Sequence, residues 1–167
     1  MRYFTLMSTA SQPEARFMRM AIHLATENVR TGKGGPFGAV IVRDGEVISA
    51  AANSVTGSND PTAHAEVNAI RAACARLGTF QLDDCDVYTS CEPCPMCLAA
   101  LYWARCARIF YGNTAADAAA AGFDDSFLYD EVKRPVSERR IPIVQLLGDE
   151  SIASFTAWTS SVERVDY

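Results

Sequence analysis

The sequence predicts a three-layer α/β fold: a five-stranded mixed sheet with helices on both faces. Three observations predict it. Short runs rich in Val, Ile, Tyr and Thr alternate along the chain with longer stretches of helical periodicity. A hairpin signal at Asp44-Gly45 supplies antiparallel strands, while the later strands are separated by helices of the length that crossovers need. The composition, 49% apolar and 21% charged over 167 residues, suits one domain that buries roughly 70% of its unfolded surface.

The elements follow in order. Pro13 opens "PEARFMRMAIHLATENVR", in which Phe17, Met20, Ala21, Leu24 and Val29 recur at helical spacing. His23 falls with Arg16, Arg19, Glu27 and Arg30 on the polar side of this helix and receives no role. "FGAVIVRDGEVISAA" reads as two strands around the Asp44-Gly45 turn, reached through the glycine-rich "TGKGGP", which lacks the spacing of a phosphate-binding loop. After a turn at Asp60-Pro61, a helix begins near His64 and stops at Gly78. "CDVYTS" is a strand, "EPCPMCLAALYWAR" a helix, "ARIFYG" a strand, "TAADAAAAG" a small-residue helix and "IPIVQLL" the fifth strand. The tail "ESIASFTAWTSSVERVDY" reads as a helix with an extended end. Residues 1–167 are therefore expected to form one domain.

Charge and cysteine usage exclude several function classes. A net charge of -5, with basic residues scattered among acids and glycines, argues against a nucleic-acid partner, whose phosphates call for a basic face. The N-terminal "MRYFTLMSTASQ" holds an apolar patch too short for a signal peptide, and no stretch approaches the ~20 apolar residues of a membrane span. The expected location is the cytoplasm, where the six cysteines stay reduced. Cys74, Cys85 and Cys106 then read as small core residues.

The chemistry gathers at two helix starts. His64 and Glu66 stand in "HAE", and Cys94 and Cys97 in "PCPMC". Residues three apart share a helix face, so Cys94 and Cys97 are able to grip one ion together, with His64 as a third ligand. Two thiolates and an imidazole suit zinc, and three protein ligands leave a fourth position for water, the mark of a catalytic site. Glu66, two residues after the histidine, is placed to move that water's proton. An iron-sulfur run shares the spacing of Cys91, Cys94 and Cys97 but requires a further Cys-Pro, and this chain has Leu101-Tyr102 there. Cys91 precedes the helix and is expected near the metal but not on it.

HxE followed at 27 residues by PCxxC is the signature of zinc deaminases that act on nucleobases. The chain resembles the cytidine/deoxycytidylate deaminase superfamily and, within it, the bacterial guanine deaminases. Besides the two motifs, "GGPFGAVIV", "SNDPTAHAEVNAIR", "LDDC", "AGFDDSF" and the C-terminal tyrosine carry the likeness. The resemblance implies a cytidine-deaminase-like fold and hydrolysis of guanine to xanthine and ammonia by zinc-bound hydroxide, with one Zn2+ per chain and Glu66 as proton shuttle. It implies zinc ligation by His64, Cys94 and Cys97, and base binding by Asn53, Phe37, Ala65 and Trp103. Asp125 is implied in base recognition and proton transfer, with Asp124 beside it as the alternative. It also implies a homodimer that exchanges the C-terminal segment, about residues 148–167, so that Tyr167 closes the partner's pocket. Guanosine, tRNA adenosine and cytosine deamination are the alternatives within the same chemistry, and a non-catalytic structural zinc protein is the remote one.

Overall fold

A computed structural model describes residues 12–167, and the N-terminal apolar patch lies outside them. The chain divides into two compact units, Met1–Phe123 and Asp124–Tyr167.

The first unit opens with α1 (Ala15–Arg30), whose inner face carries Phe17, Ala21, Ala25 and Asn28. Met20 and Val29, read from the sequence as part of the apolar stripe, are exposed. The 100° step per residue carries both to the margins of the stripe. Strands β1 (Gly38–Arg43) and β2 (Glu46–Ala52) form the expected hairpin. Asp44 at φ 52° and Gly45 at φ 78° make the doubly left-handed turn that matches strand twist. A Cβ at Gly38 would collide with the Ala21 carbonyl, so glycine there lets α1 lie directly on β1.

After the single turn α2 (Val55–Ser58) come α3 (Ala65–Leu77), β3 (Cys85–Cys91), α4 (Pro95–Trp103), β4 (Arg108–Asn113) and α5 (Ala115–Ala120). The sheet order is β2-β1-β3-β4, with β1 antiparallel to β2 and β3, and β4 parallel to β3. Strands β2 and β3 therefore run the same way, and α3 and α4 are the two crossover helices. Alternation along the strands divides the core. Val40, Val42 and Tyr88 pack with Phe17 and Ala21 of α1 on one face. Ala39, Ile41 and Val87 pack with Ala65, Ala69 and Ala73 of α3 and Leu101 of α4 on the other. Fully buried Ile41, Leu82 and Val87 each contribute roughly 1.5–3 kcal/mol through burial. Helices thus cover both faces, as the sequence predicts.

The sheet has four strands among the described residues, not five. "IPIVQLL" forms no strand, Leu147 at its end is left-handed, and Ile141, Val144 and Leu146 are exposed. Strand propensity alone makes no strand, because the backbone donors and acceptors need a neighbouring strand, and the second unit contains none among its described residues. That unit consists of α6 (Ser126–Lys133), a 3₁₀ turn (Val136–Glu138) and α7 (Gly148–Ser160). No described helix is long and apolar enough to cross a membrane.

Candidate active site

Two helix starts build the site. His64 is the N-cap of α3 and Cys94 the N-cap of α4, both with extended backbone and neither spending its side chain on a capping bond. Pro95 sets the first helical φ of α4, and Cys97 follows within the first turn. Both side chains at the caps, with Cys97, turn to one point. His64 Nδ1 lies 3.6 Å from Cys94 Sγ and 3.4 Å from Cys97 Sγ, and the three donor atoms all lie within 4.8 Å of one another.

This trio fits zinc. A tetrahedral zinc with ordinary Zn–N and Zn–S bonds holds nitrogen and sulfur donors about 3.6 Å apart. Cys94 is drawn down to about 4, first by the hydrogen bond from Cys97 and then by His64. Without a metal, Cys97 is pushed up by its bond to Cys94, by burial and by Glu66, so zinc has to displace its proton. His64 is raised, chiefly by its bond to Cys94. The positive ends of α3 and α4 favour the anionic sulfur.

Glu66 sits one residue inside α3 and is buried. Its Oε2 accepts from Cys97 Sγ at 3.4 Å and its Oε1 from Thr89 Oγ1 at 3.4 Å. Burial raises its pKa above the ordinary carboxylate value, which favours the proton-bearing form of a group that has to accept and return a proton. Ala65 is wholly buried, and its N–H, the first of α3, has no acceptor among the described residues. That leaves a donor beside the metal trio.

Asn53 follows β2 and is buried. Its Oδ1 accepts from Gly35 N–H and Val55 N–H, each at 3.3 Å, which leaves the amide nitrogen as the donor it presents. The next residue ties this segment to the metal trio: Ser54 N–H donates to Ala63 O at 2.9 Å, directly before His64. Phe37 is half-buried and meets Phe123 edge to face, with centroids 5.0 Å apart.

Residues 11–113 match the cytidine and deoxycytidylate deaminase zinc-binding region. The chain belongs to this deaminase family. It is 56% identical over 151 residues to the guanine deaminase of Bacillus subtilis, covering 90% of this chain and 97% of that one. The crystal structure of guanine deaminase from Bacillus subtilis superposes with a TM-score of 0.90 at 54% identity, covering 93% of this chain and 99% of that one. A tRNA-specific adenosine deaminase of Aquifex aeolicus is 44% identical over 95 residues, covering 57% of this chain and 62% of its own length. The chain therefore has the α/β fold of the cytidine deaminases and binds zinc as that family does.

The remaining expected site residues of this deaminase fall elsewhere in the chain. Trp103 ends α4, nine residues beyond Cys94, and is exposed. At ~1.5 Å of rise per residue it stands more than ~10 Å along the helix from the trio of its own unit. Asp125 and Tyr167 belong to the second unit. Asp125 is the N-cap residue of α6, while the neighbouring Asp124 Oδ1 is occupied by Ser126 N–H at 2.9 Å. Tyr167 meets Trp158 edge to face at 6.4 Å. Cys91 is buried and directs its thiol to Thr114 O at 3.7 Å, outside the metal trio.

Three supporting residues were missed by sequence reasoning. Thr89 Oγ1 stands between Cys91 O at 3.0 Å and Glu66 Oε1 at 3.4 Å, and Asn68 Nδ2 contacts Ala52 O, Ser54 Oγ and Ala63 O, binding the end of β2 to the start of α3. Asn28 is the third. The signal for it was a polar residue on a core-facing helical stripe, but the spacing argument counted only apolar residues.

Proposed function

We propose that this chain is a guanine deaminase, hydrolysing guanine to xanthine and ammonia. The observation that carries this reading is the match to the Bacillus subtilis guanine deaminase over nearly the full length of both chains, taken with a metal trio that fits zinc. His64, Cys94 and Cys97 would hold the metal. Bound zinc supplies a Lewis-acid charge that makes water nucleophilic at neutral pH.

The chain's own groups do the rest. Glu66 takes a proton from the attacking water on its carboxylate oxygen and delivers it to the ring nitrogen. A second transfer through the same carboxyl protonates the departing amino group, so that water and guanine become xanthine and ammonia with no net proton change. Thr89 stands beside that carboxyl and shares its hydroxyl with Cys91 O. Asn53 presents its amide N–H groups to acceptors on the purine edge, Phe37 offers a ring face for stacking, and the Ala65 N–H donates to the base. Asp125 is assigned to base recognition and proton transfer on the family resemblance, with Asp124, which accepts from Ser126 N–H, as the alternative.

The reading extends to a homodimer with an exchanged C-terminal segment. No residue of 124–167 is buried, although the unit carries Val144, Leu146 and Phe155 at 83%, 81% and 68% exposure. So much apolar surface on a short segment calls for a cover, and a second copy supplies it symmetrically. Tyr167 would then close the partner's pocket, and exposed Trp103 would serve as a wall there. On this reading the chain remains one functional domain, 1–167. Six free cysteines fit a cytoplasmic location.

Guanosine is the second reading for the same groups. Ammonia release from guanine, guanosine, adenine and cytosine tests the proposal. Guanine is expected to be turned over best, and no release from any of the four would end the enzyme reading. Light scattering is expected to give a dimer; a monomer would remove the exchange.

A further inference from the structure

Asn28 is a buried amide at the end of an otherwise apolar stripe, 6% exposed behind Phe17, Ala21 and Ala25 on the inner face of α1. A buried amide is tolerated where its donors are used. Here one nitrogen, Nδ2, donates to Gly35 O at 2.8 Å and to Asn53 O at 2.7 Å.

Both acceptors lie in the segments assigned to base binding. Gly35 N–H donates to Asn53 Oδ1 at 3.3 Å, Phe37 N–H to Gly35 O at 2.8 Å and Asn53 N–H to Phe37 O at 3.0 Å. Gly35, Phe37 and Asn53 therefore form a closed network, and Asn28 anchors it to α1 at two points. Gly34 leaves room for this. A Cβ there would stand 2.8 Å from Asn28 Nδ2 and collide with the Asn53 carbonyl.

We propose that Asn28 is a positioning residue for base recognition, acting through Asn53 and Phe37 without touching the substrate. The proposal rests on the reading of Asn53 as the residue that binds the base. Asn28→Asp is nearly isosteric but turns an acceptor toward two carbonyl oxygens, so the anchor is lost while the volume is kept.

The test uses zinc-loaded full-length protein. Asn28→Asp and, as a second variant that removes the donor by shortening the side chain, Asn28→Ser are measured alone and in an Asn53→Ala background. Loss of one or two buried hydrogen bonds corresponds to about a tenfold effect. KM for guanine is expected to rise by about that factor, with kcat within about threefold and zinc content unchanged. In the Asn53→Ala background the same substitutions are expected to move KM by less than about threefold, because coupled residues are not additive. Equal losses in both backgrounds, a fall in kcat with KM unchanged, or loss of zinc would overturn the proposal.

Amide hydrogen exchange gives a readout independent of guanine. Exchange at Gly35 and Val55 is expected to quicken in the Asn28 variants while Val40 and Ile41 of β1 stay protected. Uniform acceleration, or none, would overturn the positioning role. A wild-type protein that released no ammonia from guanine would sink the guanine reading alone, and the exchange result would still decide the case of Asn28.

Discussion

Glu66→Gln separates metal binding from proton transfer at this site. The substitution keeps the side-chain shape in a buried position. An amide oxygen can still accept from Thr89 Oγ1, and an amide nitrogen can face Cys97 Sγ, the two contacts that now sit at 3.4 Å. Fold and zinc content should therefore survive, since His64, Cys94 and Cys97 are untouched. What is lost is a group that carries a proton. General acid–base catalysis by one positioned side chain is worth about 10²- to 10⁴-fold. The same carboxyl handles both the proton taken from water and the one given to the leaving amine, which places the expected loss near the upper end, about 5 kcal/mol of transition-state stabilisation. Ammonia release from guanine, with zinc measured by atomic absorption on the same preparation, reads both halves. A variant with full zinc and more than about a tenth of wild-type turnover would refute the shuttle assignment, because the expected loss begins at about 10². A variant that lost its zinc would show that Glu66 serves the metal instead.

Cys91→Ala is expected to retain zinc, because the Cys91 thiol points to Thr114 O; loss of the metal would return Cys91 to the ligand set. Cys94→Ala is expected to abolish zinc binding, since it removes the thiolate that the site stabilises most strongly, and a fully loaded variant would contradict the trio. Leu82→Ala should destabilise the protein by about 2–5 kcal/mol in urea unfolding, since the side chain is fully buried in the α3/α4 face of the core; a cost below about 1 kcal/mol would mean that this core collapses around the gap. Deleting Tyr167 is expected to impair turnover with zinc retained, and an unchanged rate would end its role as a pocket lid.

Much of the site was legible because short sequence spacings become geometry at a helix start. HAE and PCxxC each lie within one turn, so residue type and position alone brought His64, Glu66, Cys94 and Cys97 into view. The Asp44-Gly45 hairpin and the Gly78 stop were legible for the same reason, since each depends on a local left-handed backbone that few residues adopt. The failures lie where local preference is insufficient. "IPIVQLL" has the residues of a strand but pairs with no strand among the described residues, and Met20 and Val29 have the chemistry of core residues but the wrong angle around α1.

By itself, then, the sequence pointed to His64, Cys94 and Cys97 as candidate ligands and to Glu66 as a candidate proton carrier, and it determined most of the alternation of strands and helices through residue type at local spacing. Only the tertiary structure decided that His64 meets Cys94 and Cys97 across 30 and 33 residues of chain. It also revealed Thr89 behind Glu66 and Asn28 behind Asn53. Those contacts join segments remote in sequence, and their hydrogen bonds form only after α1, α3 and the sheet have packed, so no local pattern encodes them.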